Sequence, residues 1–122
     1  MDNFLSIPEE RIVYRDKCFF IIEDAYPVSP GHMLIISNDA ARLDYFTLTD
    51  SEKRGLIEAI DKAKEIIEKK YSPDGYNIGM NCGKDAGQTI MHFHCHVIPR
   101  YRGDNNNPRG GVRGVIPSKM NY

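Results

Sequence analysis

Long apolar runs are missing from this 122-residue sequence, and no stretch approaches the length needed to cross a bilayer. The first residues, Met1 to Phe4, also lack the basic and apolar regions of a signal peptide. We therefore expect a soluble, cytoplasmic protein without a membrane partner. The length predicts one domain over residues 1–122, because two domains of ordinary size need a longer chain.

Cysteine and net charge are also low. Cys18, Cys82 and Cys95 form neither a paired framework nor a Cys-x-x-Cys metal clip, which predicts reduced thiols, with Cys95 as a small buried residue. A net charge of −1 argues against a dedicated nucleic-acid partner. Residues 99–122, however, carry five basic side chains and one acidic side chain. This local excess suits either an anionic small molecule or a solvated basic tail.

Only four histidines are present, yet three of them alternate with apolar residues between positions 91 and 98. Because successive side chains of a strand point to opposite faces, His92, His94 and His96 are predicted to share one face. Imidazole suits nucleophilic, acid–base and metal chemistry near neutral pH. The intervening residues are apolar and are predicted to face the core: Met91, Phe93, Cys95 and Val97.

The rest of the chain predicts a mixed fold. Thr49 and Glu52 form a capping-box pattern at the start of an amphipathic helix that runs to Lys70, and residues 43–48 add a short helical turn. We expect an α+β fold, with a mostly antiparallel sheet, one long helix and a short helical turn. Four further segments have the length and composition of strands, and a Pro/Gly turn at 26–31 joins two of them in a hairpin: residues 12–14, 18–22, 33–36 and 76–80.

A polar loop comes just before the three histidines. Gly87, Gln88 and Thr89 supply backbone N–H groups, an amide and a hydroxyl, which are donors that can hold phosphate oxygens. These donors therefore lie a few residues from a candidate nucleophile. After the histidine segment, residues 100–122 are expected to form a basic loop or tail.

The segment His92–Ile98 resembles the signature of the histidine triad (HIT) superfamily of nucleotide hydrolases and transferases. Residues 30–36 resemble the family's upstream Gly-His strand, and residues 86–89 resemble its phosphate loop, so the matches cover most of the chain from 18 to 99. The stretch after Pro99 resembles the Fhit-type diadenosine polyphosphate hydrolases more than the Hint-type phosphoramidases.

The resemblance implies a reaction and assigns a role to each histidine. His94 would attack the α-phosphate of a nucleotide and form a covalent nucleotidyl-histidine, and water would then release a nucleoside monophosphate. The carbonyl of His92 would fix the tautomer of His94, and His96 would donate to the reacting phosphate. His32 would orient the set.

The same resemblance assigns the nucleotide-binding residues. Asp24 would hold the ribose hydroxyls. The favoured partner is an adenine nucleotide, no cofactor is required, and a magnesium ion would enter only as a counter-ion of a polyphosphate. A homodimer formed through the main helix and a sheet edge is also implied. The residues assigned to the phosphates are Asn81, Gly87, Gln88 and Thr89, with Thr89 near the leaving group.

Other functions remain open at this point. A Hint-like phosphoramidase or a nucleotidyl transferase would share the histidine intermediate. A zinc-dependent hydrolase would use three imidazoles and a water, and a nucleotide-binding module would have no turnover. The phosphate loop, the second Gly-His element and the lack of a nearby supporting carboxylate favour covalent histidine chemistry without a metal site. Residues 109–113 would either grip a polyphosphate or belong to a flexible tail.

Overall fold

The computed structural model describes residues 4–122, and its centre is a five-stranded sheet. Neighbouring strands are antiparallel, in the order β1-β2-β3-β5-β4. A 3-10 turn at Tyr45–Thr47 precedes the long helix α1 (Asp50–Glu68). The predicted α+β class, antiparallel sheet, long helix and short helical turn are confirmed. The strands are β1 (Ile12–Arg15), β2 (Phe19–Glu23), β3 (Met33–Ser37), β4 (Gly75–Gly79) and β5 (His94–Arg100).

The helix starts where the capping box predicts. The Thr49 side chain accepts from the Glu52 backbone N–H at 3.1 Å, and the Glu52 carboxylate accepts from the Thr49 N–H at 2.7 Å, which satisfies two N–H groups at the helix start. One stripe of α1 is buried against the sheet, where it packs with Phe93, Cys95 and Val97 of the histidine segment. The buried stripe comprises Leu56, Ala59, Ala63 and Ile67. Among residues 4–122, no helix is both long and apolar enough to span a bilayer.

The predicted hairpin joins β2 and β3, which are buried on both faces of the sheet. Gly31 ends the connection with φ +89°, and a Cβ at this position would lie 2.9 Å from the Tyr71 ring. Glycine therefore allows both the left-handed turn and the close approach. On the face away from α1, a smaller apolar cluster forms the surface from which the histidines emerge, and we call this side the histidine face. The cluster comprises Phe4, Ile7, Phe20, Ile22, Leu34 and Ile36.

The prediction for the strand that carries the histidines needs two corrections. Strand β5 begins at His94, because the Phe93 N–H donates to the Arg42 carbonyl at 2.7 Å, outside the β3–β5 ladder. Met91 precedes the strand, so strand alternation does not apply to it, and it is 41% exposed instead of facing the core. Cys95 is fully buried as predicted, and burial raises the pKa of its thiol to about 12.

The C-terminal segment is more ordered than the loop-like tail that the sequence suggests. Residues 110–122 turn back through 3-10 turns at Gly111–Val115 and Pro117–Lys119, and we call them the C-terminal hook. The guanidinium groups of Arg109 and Arg113 stack on the Tyr122 ring at 4.6 and 4.7 Å. Arg113 also donates to the carbonyls of Lys119 and Met120. The cation–π stacking and the two hydrogen bonds therefore hold the end of the hook, Lys119 to Tyr122, against Arg109 and Arg113.

Candidate active site

His94 is held in the tautomer that a nucleophile requires. Its Nδ1 lies 2.9 Å from the backbone carbonyl of His92. A carbonyl oxygen only accepts, so Nδ1 carries the proton and Nε2 keeps its lone pair. The predicted role of the His92 carbonyl therefore matches the geometry at His94.

The His92 ring is fully buried and bonded at both nitrogens. The backbone N–H of Phe4 donates to its Nδ1 at 3.0 Å, so Nε2 carries the proton and donates to the Ser37 carbonyl at 2.7 Å. Burial lowers the pKa of His92, which opposes a second proton on the ring. His92 therefore fixes its own carbonyl, and with it the orientation of His94.

His96 is held in the opposite tautomer to His94. The backbone N–H of Val28 donates to Nδ1 of His32 at 3.1 Å, so Nε2 of His32 carries the proton and donates to Nδ1 of His96 at 2.9 Å. Nε2–H of His96 is left as a donor. Burial, with help from His94 and His32, lowers the pKa of His96 to about 4. His96 is thus a neutral hydrogen-bond donor at neutral pH.

Asp24 lies beside this chain of histidines. Its Oδ2 is 3.4 Å from Nε2 of His32, and its Oδ1 accepts from the backbone N–H of Tyr26 at 2.9 Å. Its negative charge raises the pKa of both His32 and His96, against the larger effect of burial, which lowers them. The side chain is mostly buried, yet it lines the cleft described next.

A cleft of about 560 Å³ on the histidine face brings most of the predicted residues together; we call it the first cleft. His32 and His92 lie behind it and reach it only through His96 and His94. Phe4, Ile22 and Leu34 provide apolar walls. The predicted site residues in its lining are Asp24, Asn81, Gly87, Thr89, His94 and His96.

Gln88 departs from its predicted role. Its side chain is 4% exposed, and its amide oxygen accepts from the Gly83 N–H at 2.8 Å. Its amide nitrogen donates to the carbonyls of Leu43 and Ile90 at 2.6 and 3.1 Å. Because the whole amide is engaged inside the protein, Gln88 shapes the loop that carries Gly87 and Thr89 and does not offer a side-chain contact to a phosphate.

Phe4 is the site residue that sequence reasoning missed. Its N–H holds His92, and its ring meets the rings of His92 and His94 edge-on, with centroids 5.5 and 5.0 Å away. The contact joins residues 88 positions apart. The only available signal was an apolar residue at position 4, with Ile7 three residues later, ahead of the first strand.

The donor set does not fit a metal ion. Ligand atoms of Asp24, His32 and His96 lie within 4.8 Å of one another. A metal-bound histidine usually donates its other ring N–H to an acceptor, but Nδ1 of His32 faces the Val28 N–H, which is itself a donor. Both nitrogens of His92 are also engaged, so the three imidazoles of the triad do not converge on one point. The geometry therefore does not support the zinc-hydrolase alternative.

Comparisons with known proteins give a family match and named relatives. The HIT domain family model matches residues 7–103. The chain is 40% identical over 95 residues to the asymmetrical bis(5'-nucleosyl)-tetraphosphatase of Schizosaccharomyces pombe, which covers 77% of this chain and 51% of that protein. It is 36% identical over 104 residues to the AP-4-A phosphorylase of Mycobacterium tuberculosis, and the match covers 84% of this chain and 52% of that protein. The chain thus spans about half the length of these relatives.

Solved structures show the same fold. The C. elegans NitFhit protein superposes with a TM-score of 0.78 at 30% identity, over 97% of this chain and 28% of that one. A HIT family protein from Bacillus subtilis superposes with a TM-score of 0.72 at 31% identity, over 82% of this chain and 70% of that one.

Proposed function

This chain belongs to the HIT domain family, and on that premise we propose that it cleaves nucleotidyl substrates of the diadenosine polyphosphate type at the α-phosphate. The observation that carries the proposal is the 2.9 Å hydrogen bond from His94 Nδ1 to the His92 carbonyl, which leaves Nε2 of His94 ready to attack. The names of the two curated relatives, a tetraphosphatase and an AP-4-A phosphorylase, support this substrate class.

The proposed first step is an in-line displacement at phosphorus. Nε2 of His94 forms a bond to the α-phosphorus, and the bridging P–O bond breaks as the leaving nucleoside polyphosphate takes the bonding electrons. The intermediate ring is cationic, with the nucleotidyl group on Nε2 and the proton on Nδ1. The His92 carbonyl accepts that proton's hydrogen bond and stabilises the cation.

Water completes the proposed cycle. It attacks the phosphorus, gives up a proton and releases the nucleoside monophosphate, while the N–P bond breaks and His94 regains its lone pair. Nε2–H of His96 lines the same cleft and would stabilise negative charge on the phosphate oxygens in both steps. Because the pKa of His96 is about 4, this donor stays neutral across the physiological range.

The substrate would lie along the first cleft. Phe4, Ile22 and Leu34 offer an apolar surface for the base, and Asp24 would accept from the ribose hydroxyls. The predicted phosphate contacts are now limited to Asn81, the loop at Gly87–Thr89 without the Gln88 side chain, and the two histidines His94 and His96. A magnesium ion would enter only with the polyphosphate.

We also propose a homodimer formed through α1 and the free edge of β4. Ile57 of α1 is 65% exposed and Ile78 of β4 is 44% exposed, so both offer apolar surface that a second copy would cover. Sedimentation of the purified protein tests this proposal. A protein that stays monomeric at micromolar concentration would contradict it.

A transferase is the second candidate, because one curated relative is named a phosphorylase. In that reaction inorganic phosphate replaces water as the acceptor of the nucleotidyl group. Adding phosphate to the assay would then release a nucleoside diphosphate in place of the nucleoside monophosphate. A Hint-like phosphoramidase would instead prefer adenosine phosphoramidate.

The testing experiment compares wild type with His94→Ala on diadenosine tetraphosphate and on adenosine phosphoramidate. We expect the wild type to cleave the dinucleotide and, after rapid acid quench, to show a nucleotidyl adduct by intact-protein mass. His94→Ala should lose both signals while keeping its far-ultraviolet circular dichroism. Turnover that survives in His94→Ala would exclude the covalent mechanism.

A further inference from the structure

A second cleft of about 590 Å³ lies on the histidine face beneath the C-terminal hook; we call it the second cleft. It shares His96 and Asn81 with the first cleft, but His94 is not among its lining residues. Its floor comes from β4 and β5, its roof comes from the hook, and Val28 and His32 also line it. The floor includes Asn77, Gly79 and Ile98, and the roof includes Gly111, Val112 and Val115.

The sheet register explains why the two clefts meet at His96. On β5, His96 pairs with Leu34 of β3 on one side and with Gly79 of β4 on the other. Leu34 lines the first cleft and Gly79 lines the second. A Cβ at Gly79 would meet nothing within 4 Å, so the absent side chain leaves open space directly beside His96.

We propose that the second cleft receives the leaving nucleoside of a dinucleoside polyphosphate, an inference that rests on the proposed function. In an in-line displacement the leaving group departs on the side of phosphorus opposite the nucleophile. The nucleophile His94 lines only the first cleft, and the second cleft continues past His96 on the other side. A dinucleotide bound this way places one nucleoside in each cleft, with the phosphate chain across His96 and Asn81.

The lining of the second cleft suits a nucleobase better than a phosphate. Val112 and Val115 of the roof are 64% and 78% exposed, so they offer apolar surface that a flat base would cover. Asn77 adds a polar group whose Oδ1 accepts from Arg100 at 2.7 Å. This bond orients the amide, so its nitrogen can donate to a base or a ribose.

The hook's own basic residues do not line this cleft. Arg109 and Arg113 stack on Tyr122, so they close the hook and hold Val112 and Val115 over the floor. In this proposal, residues 109–113 support the roof of the second cleft and do not grip the polyphosphate. The hook instead contributes apolar contact to the group that leaves.

The test compares two substrates that differ only in the second nucleoside: diadenosine tetraphosphate and adenosine tetraphosphate. The Val112→Ser/Val115→Ser double variant should lower the ratio of their kcat/KM values about 10-fold, which corresponds to about 1.4 kcal/mol. Val13→Ser is the matched control, because Val13 is an exposed valine on β1, away from both clefts, and should leave the ratio unchanged. Gly79→Val, which fills the open space beside His96, should lower the ratio as well.

Several results would overturn the inference. An unchanged ratio in both the double variant and Gly79→Val would do so, and so would an equal loss on both substrates. If the double variant turned a dimer into a monomer in sedimentation, the roof would be an interface between copies instead of a subsite. Failure of the proposed function would look different, because the wild type itself would then cleave neither substrate or His94→Ala would stay active.

Discussion

The two histidines that face the first cleft use the same ring nitrogen for opposite purposes. Nδ1 of His94 meets a carbonyl, whereas Nδ1 of His96 meets the N–H of His32. One histidine is therefore left with a free lone pair at Nε2 and the other with a proton there. A candidate nucleophile and a hydrogen-bond donor thus arise from the same type of side chain at positions two residues apart.

Each of the two histidines is supported by a neighbouring histidine whose own ring is held by a backbone N–H from another part of the chain. On the nucleophile side the Phe4 N–H sets His92, which supports His94. On the donor side the Val28 N–H sets His32, which bonds to His96. Two positions on one strand, two residues apart, therefore differ in chemistry because different loops reach the histidines that support them.

Removing the His96 donor should have the largest effect on the contrast between His94 and His96. His96→Ala should lower kcat by roughly 10²–10³-fold, the range found when one preorganised donor to a developing charge is lost. KM should change less, because the donor acts mainly on charge that develops in the transition state. Steady-state kinetics on diadenosine tetraphosphate measure this effect. His96→Asn, whose amide can still donate, should recover part of kcat, and a variant as inactive as alanine would argue against a donor role.

Protonation of His96 gives the second test, because its pKa lies near 4 in the folded protein against 6.5 in the unfolded chain. The unfolded state binds more protons between these values, so the free energy of unfolding should fall as the pH drops from about 6.5 to 4 and level off below. The contribution is on the order of 3 kcal/mol. Urea unfolding at several pH values measures it. His96→Asn should flatten this part of the curve, and an identical slope in both proteins would contradict the assignment.

Replacing the backbone donor on the nucleophile side gives a smaller effect. Phe4→Pro removes the N–H that bonds to Nδ1 of His92, and we expect kcat to fall about 10-fold as His94 loses its fixed orientation. Phe4→Leu keeps the N–H and is the matched control, so it separates loss of the ring from loss of the hydrogen bond. Equal kinetics in the two variants would show that only the ring matters.

The matching change on the donor side is Val28→Pro, which removes the N–H that bonds to Nδ1 of His32. We expect a roughly 3-fold lower kcat, because His32 can then adopt either tautomer while Asp24 still lies near its Nε2. Nuclear magnetic resonance of ¹⁵N-labelled histidine reports the tautomer directly. Val28→Ala is the control, and a His32 spectrum unchanged in Val28→Pro would show that the loop N–H does not set the tautomer.

The sequence predicted those parts of the fold that depend on local chemistry. Thr49 and Glu52 mark the helix start because a capping box acts within four residues, and the apolar runs of β2 and β3 are recognisable because both faces are buried. The start of β5 was misplaced by two residues. Its position depends on a bond from Phe93 to Arg42, which no periodicity reveals.

The site also has parts that the sequence predicts from nearby residues and parts that depend on tertiary packing. The carbonyl of His92 that meets His94 lies two residues away, and the resemblance to a known family included it. Phe4 and His92 are 88 positions apart in the sequence, and Gln88 and Leu43 are 45 positions apart. Both contacts therefore depend on tertiary packing. Residue type alone made Gln88 a plausible phosphate ligand, and only its burial shows that the amide is already used.

Cys95 lies between His94 and His96, fully buried and with a thiol pKa near 12, so an alkylating reagent reaches it only when the sheet opens. Cys18 and Cys82 are partly exposed and provide faster-reacting references in the same chain. Timed alkylation followed by peptide mass spectrometry would therefore measure how often β5 opens enough to expose Cys95. Cys95 is thus a native probe of strand opening between His94 and His96, and no engineered label is needed.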